Sequence, residues 1–304
     1  MATASQVETP HVSVIVPNLH SSVVGRTLDS LHAQDFSEPF EIIVVGQDRY
    51  GIIREDAQTR FIVTPEPVAP AAARNIGIRA ARGEWLAFID ADGVAAPNWL
   101  SQLARHYADP NVHVVGGSVL FPDEAYLTLC DNVSMFHDYL PTSRAHEQAL
   151  LPSLNLSLRA SVIAEVGQFD ERYPLAVGED SDFTTRIRLH NYQLHFEPRA
   201  VVHHYPVSRN TLATLAHRAY NMGRYSVKVD RRYQKALNTP FVLRHWCTTV
   251  LAAPVLAAGV VGRMVAHNRL EFRYWKTLPV VFGLKWMWCL GAARTLRRGS
   301  AWAN

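Results

Sequence analysis

The stretch from Glu84 to Gly93 reads Glu-Trp-Leu-Ala-Phe-Ile-Asp-Ala-Asp-Gly, a short apolar run that ends in two carboxylates and a glycine. The run predicts a buried strand over 84–89. Immediately before it, 69–81 is rich in Ala and Arg and stops at Gly83, which predicts a helix. A helix followed directly by a short apolar strand is typical of a sheet whose strands run parallel.

The same alternation extends along the chain in both directions. Further strands are predicted at 12–16, 41–45, 61–63, 112–115, 154–158 and 200–204, and helices at 23–34, 97–107, 160–166 and 179–190. This pattern favours the α/β class, with a mostly parallel, Rossmann-like sheet flanked by helices and ligands at the carboxyl ends of the strands. Residues 121–150 lack periodicity, and we interpret them as a variable insert that forms a candidate lip for an acceptor.

Composition excludes several classes of protein. The 304 residues are 48% hydrophobic and 19% charged, which indicates a folded chain without low-complexity bias. Three widely spaced cysteines exclude a disulfide framework and a Cys-rich zinc module. Because residues 1–11 lack the basic and apolar regions of a signal peptide, we expect the N-terminal part to stay in the cytoplasm.

The net charge of +3 hides a division of the chain into two parts. Residues 1–208 hold 14 Lys and Arg against 25 Asp and Glu, whereas residues 209–304 hold 16 against 2. We therefore expect one domain over 1–208 and a basic helical region over 209–304. Basic residues beside apolar runs favour a surface held against anionic lipid over nucleic acid.

Two apolar runs, 245–262 and 277–293, give the second part its character. The first is near the minimum length of a spanning helix but contains Pro254, and the second has Lys285 at its centre, which argues against two plain spans. We expect a membrane-associating tail, either amphipathic or re-entrant. The alternative is a helical lid packed on the catalytic domain.

The carboxylates of Asp90 and Asp92 are the first candidate chemical site. Alternation at a strand end would put both on one side, and two carboxylates together with substrate phosphates suit Mg²⁺ or Mn²⁺. An acidic turn of this kind can also be merely solvated, with Asp92 near a helix N-cap.

Further motifs surround this turn in a fixed order. They are Ala-Arg-Asn-Ile-Gly at 73–77, Gly-Gly at 116–117, Asn155, Gly-Gln-Phe-Asp-Glu at 167–171 and Gly-Glu-Asp at 178–180. With these motifs, the chain from Val12 to about Tyr205 resembles family 2 of the inverting nucleotide-sugar glycosyltransferases, which have the GT-A fold. The resemblance covers about two-thirds of the chain.

The resemblance implies roles for individual residues. Asp90 and Asp92 are expected to hold Mn²⁺ or Mg²⁺ on the donor diphosphate. Alternation lets at most one of His203 and His204 point at the site. The match to the family favours His204 as a further ligand, and the alternative is a hydrogen-bonded core histidine. Asp180 is the expected general base, and Glu179 would orient the acceptor. The other donor-side and sugar-side positions are Pro17, Gln47, Asp48, Arg74, Asn75, Gly77, Ala91, Gly117 and Asn155.

Three positions qualify this set. Gly46 stands where family members carry an Asp that contacts the nucleotide base, so Gln47 or Asp48 would have to reach the base instead. Residues 217–224 lack the Gln-x-x-Arg-Trp motif of processive synthases, which favours transfer of a single sugar. Arg186, two helical turns after Glu179, is expected to form a structural ion pair with it.

The sequence thus predicts an inverting, metal-assisted glycosyltransferase at the cytoplasmic face of the cell membrane. Its partners would be a nucleotide-sugar donor, a lipid-linked or cell-envelope glycan acceptor and the membrane surface, but no nucleic acid. A catalytically silent family member that scaffolds an assembly is the alternative, since Gly46 replaces a donor contact. A nucleotidyltransferase is disfavoured because no glycine-rich loop with a following Arg and Lys lies near the first strand.

Overall fold

The computed structural model describes residues 9–122, 125–207, 211–266 and 270–299. Within these residues nine strands form one sheet in the order β3-β2-β1-β4-β8-β6-β9-β5, and β7 pairs with β9. The strands are β1 Val12–Leu19, β2 Phe40–Gln47, β3 Thr59–Val63, β4 Trp85–Ile89, β5 Gly93–Ala95, β6 Val114–Leu120, β7 His146–Glu147, β8 Asn155–Arg159 and β9 His195–His204.

The described helices lie between the strands and in the C-terminal third of the chain. They are α1 Val24–His32, α2 Pro70–Ala80, α3 Trp99–Ala104, α4 Tyr126–Phe136, α5 Ala160–Val166, α6 Glu179–Leu189, α7 Leu212–Arg232, α8 Trp246–Ala266 and α9 Leu278–Arg298.

The sheet confirms the expected α/β class. Strands β1 to β4 pair in parallel, and β6 and β9 are parallel to each other; β8 runs antiparallel between β4 and β6. In β2, Ile42 and Val44 join the main apolar core, whereas Ile43 and Val45 pack with Ala73 of α2. Helices therefore cover both faces of the sheet.

Several sequence-based boundaries differ from the structure, and two of the differences have a clear physical reason. Strand β1 continues past Pro17 to Leu19. This is possible because the pairing of β1 with β4 ends at Ile15, so β4 needs no backbone N–H from Pro17. The interpretation of 121–150 as an irregular insert is wrong for α4, whose residues from Thr128 to Ser134 are all buried. A helix buried all round shows no amphipathic period.

The C-terminal helices pack against one another and against the catalytic part. Helices α7 and α9 touch through their backbones, since a Cβ on Gly223 would overlap the carbonyl of Trp288. Lys285 of α9 donates a 2.6 Å hydrogen bond to the carbonyl of Ser134 in α4. The expected domain boundary at 208/209 lies outside the described residues.

The two apolar runs have different environments. The run 277–293 lies in α9, where Lys285 is partly buried and bonds to α4. The run 245–262 lies in α8, with Pro254 inside it, and in the described part of the chain α8 alone is long and apolar enough to cross a membrane, by length and composition. Only 22% of its most apolar window is buried, so most of this apolar helix faces outward.

Candidate active site

A cleft of about 450 Å³ opens at the edge of the sheet where the parallel strands end, within the size range of small-molecule sites. The ends of β1, β4 and β9 and the start of α6 meet there. Ligands of open α/β sheets bind at this edge because the loops after the strands converge there. Of the residues predicted from the sequence, those that line the cleft are Pro17, Arg74, Asp90, Ala91, Asp92, Glu179, Asp180 and His204.

Asp90 and Asp92 lie in a turn and not, as expected, in alternation along a strand. Strand β4 ends at Ile89, and the turn closes with a 2.9 Å bond from the Gly93 amide to the Asp90 carbonyl. The Ala91 carbonyl accepts a 3.0 Å hydrogen bond from the Ser21 hydroxyl. Both carboxylates still line the cleft, because the turn and not the pleat directs them.

Arg74 of α2 connects this turn to the opposite wall. Its side chain is 2% exposed, and its guanidinium lies 2.7 Å from an oxygen of Asp90 and 3.1 Å from an oxygen of Glu179. Burial opposes its charge, but the nearby carboxylates more than compensate and raise the pKa of Arg74. The arginine therefore stays charged and fixes the spacing of two acidic residues on different elements.

Glu179 and Asp180 occupy the first turn of α6, as the sequence predicts. The preceding Gly178 has φ +92°, a left-handed conformation that lets the chain enter the helix at this angle. Burial raises the pKa of both carboxyls; that of Glu179 reaches about 8, with repulsion from Asp180 adding to burial and attraction to Arg74 opposing it. Asp180 accepts a 2.7 Å hydrogen bond from the Ser181 amide. Such a pair is suited to holding and moving a proton near neutral pH.

His204 lines the cleft beside Asp92, and its neighbour His203 does not, as strand alternation predicts for two consecutive residues. The Nε2 of His204 lies 3.6 Å from an oxygen of Asp92, and its Nδ1 lies 2.7 Å from the side-chain oxygen of Asn132. Because an amide oxygen only accepts, Nδ1–H donates to Asn132, and this bond turns Nε2 toward Asp92.

The region expected to contact the nucleotide base differs from the expectation. Gly46 has φ +136°, and a Cβ there would overlap the carbonyl of Asn18, so no aspartate fits this backbone. Gln47 donates to the carbonyls of Thr64 and Pro65, and Asp48 accepts from the backbone of its own loop. Neither of these two predicted contacts lines the cleft; the residues that do on this side are Asn18, His20, Arg49 and Tyr50.

Four of the other predicted residues lie behind the cleft. Asn155 is fully buried, receives the Trp99 indole N–H and donates to the carbonyls of Ser118 and Ala200. A Cβ on Gly117 would strike Asn155, so this glycine makes room for the amide. Both support the sheet and neither lines the cleft, so their expected sugar-side role stays a prediction.

Asn75 and Gly77 support the cleft from α2. Asn75 bonds both the amide and the carbonyl of Phe169, which ties α2 to the loop before α6. Gly77 lets α2 pack against β1, since a Cβ would lie 2.5 Å from Ile15. These residues place Arg74 and α6 and do not contact the cleft themselves.

Two further polar residues act at the site although the sequence did not single them out. Asn132 of α4 holds His204, and Arg218 of α7 lines the cleft while its guanidinium lies 3.4 Å from Asp131. A buried Asn in an aperiodic segment carries no distinctive signal, and Arg218 lies in the segment expected to be separate. Arg186 does form an ion pair, but with Asp182 at 2.9 Å and not with Glu179.

Comparison with known proteins agrees with this geometry. The family model described as "Glycosyl transferase family 2" matches residues 13–129, and that of "Glycosyl transferase family group 2" matches residues 85–291. A pre-mycofactocin glycosyltransferase of Mycobacterium tuberculosis is 32% identical over 146 residues, 46% of this chain and 31% of the relative. The chain thus matches about a third of that relative's length.

Other similarities cover more of the chain. Glycosyltransferase AglE of Haloferax volcanii is 25% identical over 78% of this chain and 80% of its own length. The mannosyltransferase PcManGT of Pyrobaculum calidifontis, solved with GDP-Man and Mn²⁺, superposes with a TM-score of 0.60 at 20% identity over 95% of this chain and 87% of that one. TarS of S. aureus superposes with a TM-score of 0.51 at 16% identity, over 94% of this chain and 55% of TarS. The chain therefore belongs to glycosyl transferase family 2, and its fold is of the GT-A type.

Proposed function

We propose that this protein transfers a single sugar from a nucleotide-sugar donor to an acceptor hydroxyl, with inversion of the anomeric carbon. One observation carries the proposal: the Asp90–Asp92 turn and the Glu179–Asp180 pair line one cleft, and Arg74 joins Asp90 to Glu179. Glycosyl transfer needs stabilisation of a departing diphosphate on one side and removal of an acceptor proton on the other. Family membership supports the same reaction.

The donor side is suited to a divalent cation together with a diphosphate. Asp92 and His204 face each other at 3.6 Å, and Asn132 orients the imidazole. The described residues contain no group of three or more acidic, His or Cys side chains able to hold a metal alone, so donor oxygens would complete the coordination. Bound Mn²⁺ or Mg²⁺ would neutralise charge that develops on the leaving diphosphate.

Asp90 would serve this side differently from Asp92. Its carboxylate is already paired with Arg74, which holds it at 2.7 Å. We therefore assign Asp92 and His204 as the principal protein ligands, while Asp90 fixes the turn and contributes negative charge beside the metal. In this arrangement the metal role predicted for both aspartates falls mainly on Asp92.

The acceptor side would supply the base. Asp180 lies in the cleft, and burial raises its pKa, which strengthens it as a proton acceptor while it is ionised. It would remove the acceptor proton as the oxygen attacks the anomeric carbon opposite the leaving group, so one displacement inverts the centre. The Oε2 atom of buried Glu179 has no hydrogen-bond partner among the described residues and could accept a bond from a sugar hydroxyl.

The donor and acceptor classes rest on the comparisons and on charge. The superposed mannosyltransferase holds GDP-Man, which supports a nucleotide-sugar donor here. Proteins named for O-antigen biosynthesis in Myxococcus xanthus and succinoglycan biosynthesis in Rhizobium meliloti are among the relatives, which supports an envelope or lipid-linked glycan as acceptor. The basic tail and outward-facing α8 support action at the cytoplasmic face of the membrane.

Nucleotide binding and transfer can be tested separately. Purified protein is heated with UDP-, GDP-, dTDP- and CDP-sugars, with and without Mn²⁺. A ligand at about 100 times its Kd adds about 2.7 kcal/mol to the free energy of unfolding. We expect one nucleotide to stabilise the wild type only with metal, Asp92→Ala to lose this effect, and Asp35→Ala, an exposed carboxylate outside the cleft, to keep it.

Asp180→Asn tests the base and should keep metal-dependent donor binding while losing sugar transfer. Equal transfer by Asp180→Asn and wild type would remove the base assignment. An NMR measurement of the product's anomeric configuration decides between inversion and retention. If no donor binds to folded wild-type protein, the catalytically silent scaffold becomes the better reading of this cleft.

A further inference from the structure

A second, open groove lies between the tail helices, with a volume of about 580 Å³. Its walls combine three arginines of α9 with aromatic and aliphatic side chains of α7, α8 and α9. They are Arg294, Arg297, Arg298, Trp246, Tyr220, Val250 and Leu290. None of these residues takes part in the proposed glycosyl transfer.

The positive charge in the groove has no acidic counterpart. Among residues 211–266 and 270–299 the acidic side chains are Asp230 and Glu271, and no described carboxylate lies within ion-pair distance of the three arginines. Arg294 bonds the Tyr220 hydroxyl at 3.2 Å, and the Arg297 guanidinium lies 5.4 Å from the centre of the Trp246 ring. Three cations this close repel one another, so a bound anion would stabilise the arrangement.

The apolar wall of the groove continues onto an exposed helix face. Val250 lines the groove and is 38% exposed, and on the same helix Leu251 and Val255 are 81% and 73% exposed. These two residues are four apart and therefore lie on one side of α8. A cationic groove joined to an apolar face matches a ligand with a phosphate and hydrocarbon chains better than a free phosphate ion.

The groove is separate from the cleft. Tyr220 borders the groove and Arg218 borders the cleft, and both belong to α7. Residues two apart on a helix are rotated by about 200°, so they point to opposite sides. A lipid in the groove would therefore hold the tail at a bilayer and leave the donor cleft open.

We propose that the groove formed by Trp246, Arg294, Arg297 and Arg298 binds the phosphate of an anionic phospholipid while the apolar side of α8 enters the bilayer surface. This inference rests on the proposed location at the membrane and names the site and lipid class responsible. Arginine binds phosphate oxygens in bidentate fashion, and tryptophan favours the membrane interface. Because the groove continues onto the exposed apolar side of α8, it suits a lipid better than a soluble anion.

Vesicle co-sedimentation of the full-length protein tests the proposal. Vesicles of phosphatidylcholine alone are compared with mixed vesicles that also contain phosphatidylglycerol. The variant R297Q/R298Q removes two groove charges, and R231Q/K235Q removes two exposed tail charges outside the groove as the matched control. We expect the groove variant to bind the mixed vesicles more weakly, by about fivefold for each arginine, and the control to bind almost as well as wild type.

Each other outcome contradicts the groove assignment. If both variants bind the mixed vesicles equally weakly, only net charge attracts the tail. If wild-type protein does not bind the mixed vesicles, a phospholipid is not the ligand. If inorganic phosphate releases the protein from the vesicles and Leu251→Ser binds them as well as wild type, the groove binds a soluble anion. A stable dimer by light scattering, with no vesicle binding, would show that a second copy covers α8. Metal-dependent nucleotide binding is measured separately, so failure here leaves the proposed transfer intact.

Discussion

The guanidinium of Arg74 lies 2.7 Å from the carboxylate of Asp90, and its second terminal nitrogen lies 3.1 Å from Glu179. One buried cation thus joins the turn after β4 to the first turn of α6. These elements are far apart in the sequence and carry the two halves of the proposed chemistry. The spacing between these two proposed halves of the site is therefore set by a side chain and not by the sheet alone.

Replacement of Arg74 by methionine should destabilise the protein by about 3 kcal/mol. The change leaves Glu179, which is buried, and Asp90, which is partly exposed, without the cation that they share. Breaking a buried ion pair costs about 3–5 kcal/mol. The free energy of unfolding from urea titration checks this. Arg79→Met, on the exposed side of the same helix, is the matched control and should stay within about 0.5 kcal/mol of wild type.

The double variant R74M/E179Q refines this prediction. Replacing Glu179 by Gln should recover part of the lost stability: without Arg74 the buried carboxyl must either carry an unpaired charge or take up a proton, and an amide needs neither. Stability of Arg74→Met equal to that of Arg79→Met would mean that the arginine is not the shared counter-ion of these carboxylates.

Asn132 should control the metal side of the cleft through His204. Asn132→Leu removes the acceptor for Nδ1–H, so the imidazole can rotate or change tautomer and Nε2 no longer faces Asp92. Loss of such a supporting hydrogen bond lowers metal affinity by about 10- to 100-fold. Titration of Mn²⁺ by EPR measures the affinity, and ¹⁵N NMR of metal-free protein reports the tautomer.

Asn132→Asp is the matched variant for this test because it keeps an oxygen acceptor at the same position. It should retain the Nδ1–H tautomer and most of the Mn²⁺ affinity. Unchanged affinity and tautomer in Asn132→Leu would show that the hydrogen bond does not orient His204.

Apolar runs predicted the sheet because its strands are buried on both faces, as β2 and β4 are throughout their central residues. Helix α4 was not predicted because it is buried on nearly all sides and so has no amphipathic period. Its buried face also contains the polar residues Asp131, Asn132 and Ser134. Its buried polar residues are satisfied by partners on β9, α7 and α9, which no local pattern encodes.

The site shows a similar limit. Motif order brought Arg74, Asp92 and Asp180 to the correct edge of the sheet, because strand ends and helix starts define that edge. It could not tell which way a side chain points: Asn155 begins β8 at this edge but turns inward to Trp99. Direction depends on packing across the sheet, which sequence spacing leaves open.

Asp170 should make the free energy of unfolding depend on pH in acid. Burial opposes ionisation, but hydrogen bonds and attraction from Arg172 and Arg232 prevail and lower the pKa of Asp170 to about 2. Because the folded pKa lies below the unfolded value, this stabilisation is fully present above about pH 4 and is lost as the pH falls toward 2. Urea midpoints measured across this range should fall less steeply for Asp170→Asn than for wild type.

Arg232 is part of α7, so the same experiment reports on how the tail is held. The control is Asp35→Asn, an exposed carboxylate that should leave the acid slope unchanged. Identical slopes in Asp170→Asn and wild type would mean that the ion pair between the catalytic part and α7 adds nothing to stability.

The crossing of α7 and α9 should tolerate no side chain at two glycines. A Cβ on Gly223 would overlap the Trp288 carbonyl, and one on Gly291 would overlap the Tyr220 carbonyl, so each helix presses a glycine against the other's backbone. Gly223→Ala and Gly291→Ala should each destabilise by about 1–3 kcal/mol, since rigid backbones and not flexible side chains must separate. Gly283 of α9 meets nothing within 4 Å, so Gly283→Ala should stabilise by up to about 1 kcal/mol through helix propensity. Urea unfolding combined with limited proteolysis of the tail distinguishes these cases, and equal behaviour of Gly291→Ala and Gly283→Ala would show that the two helices do not touch.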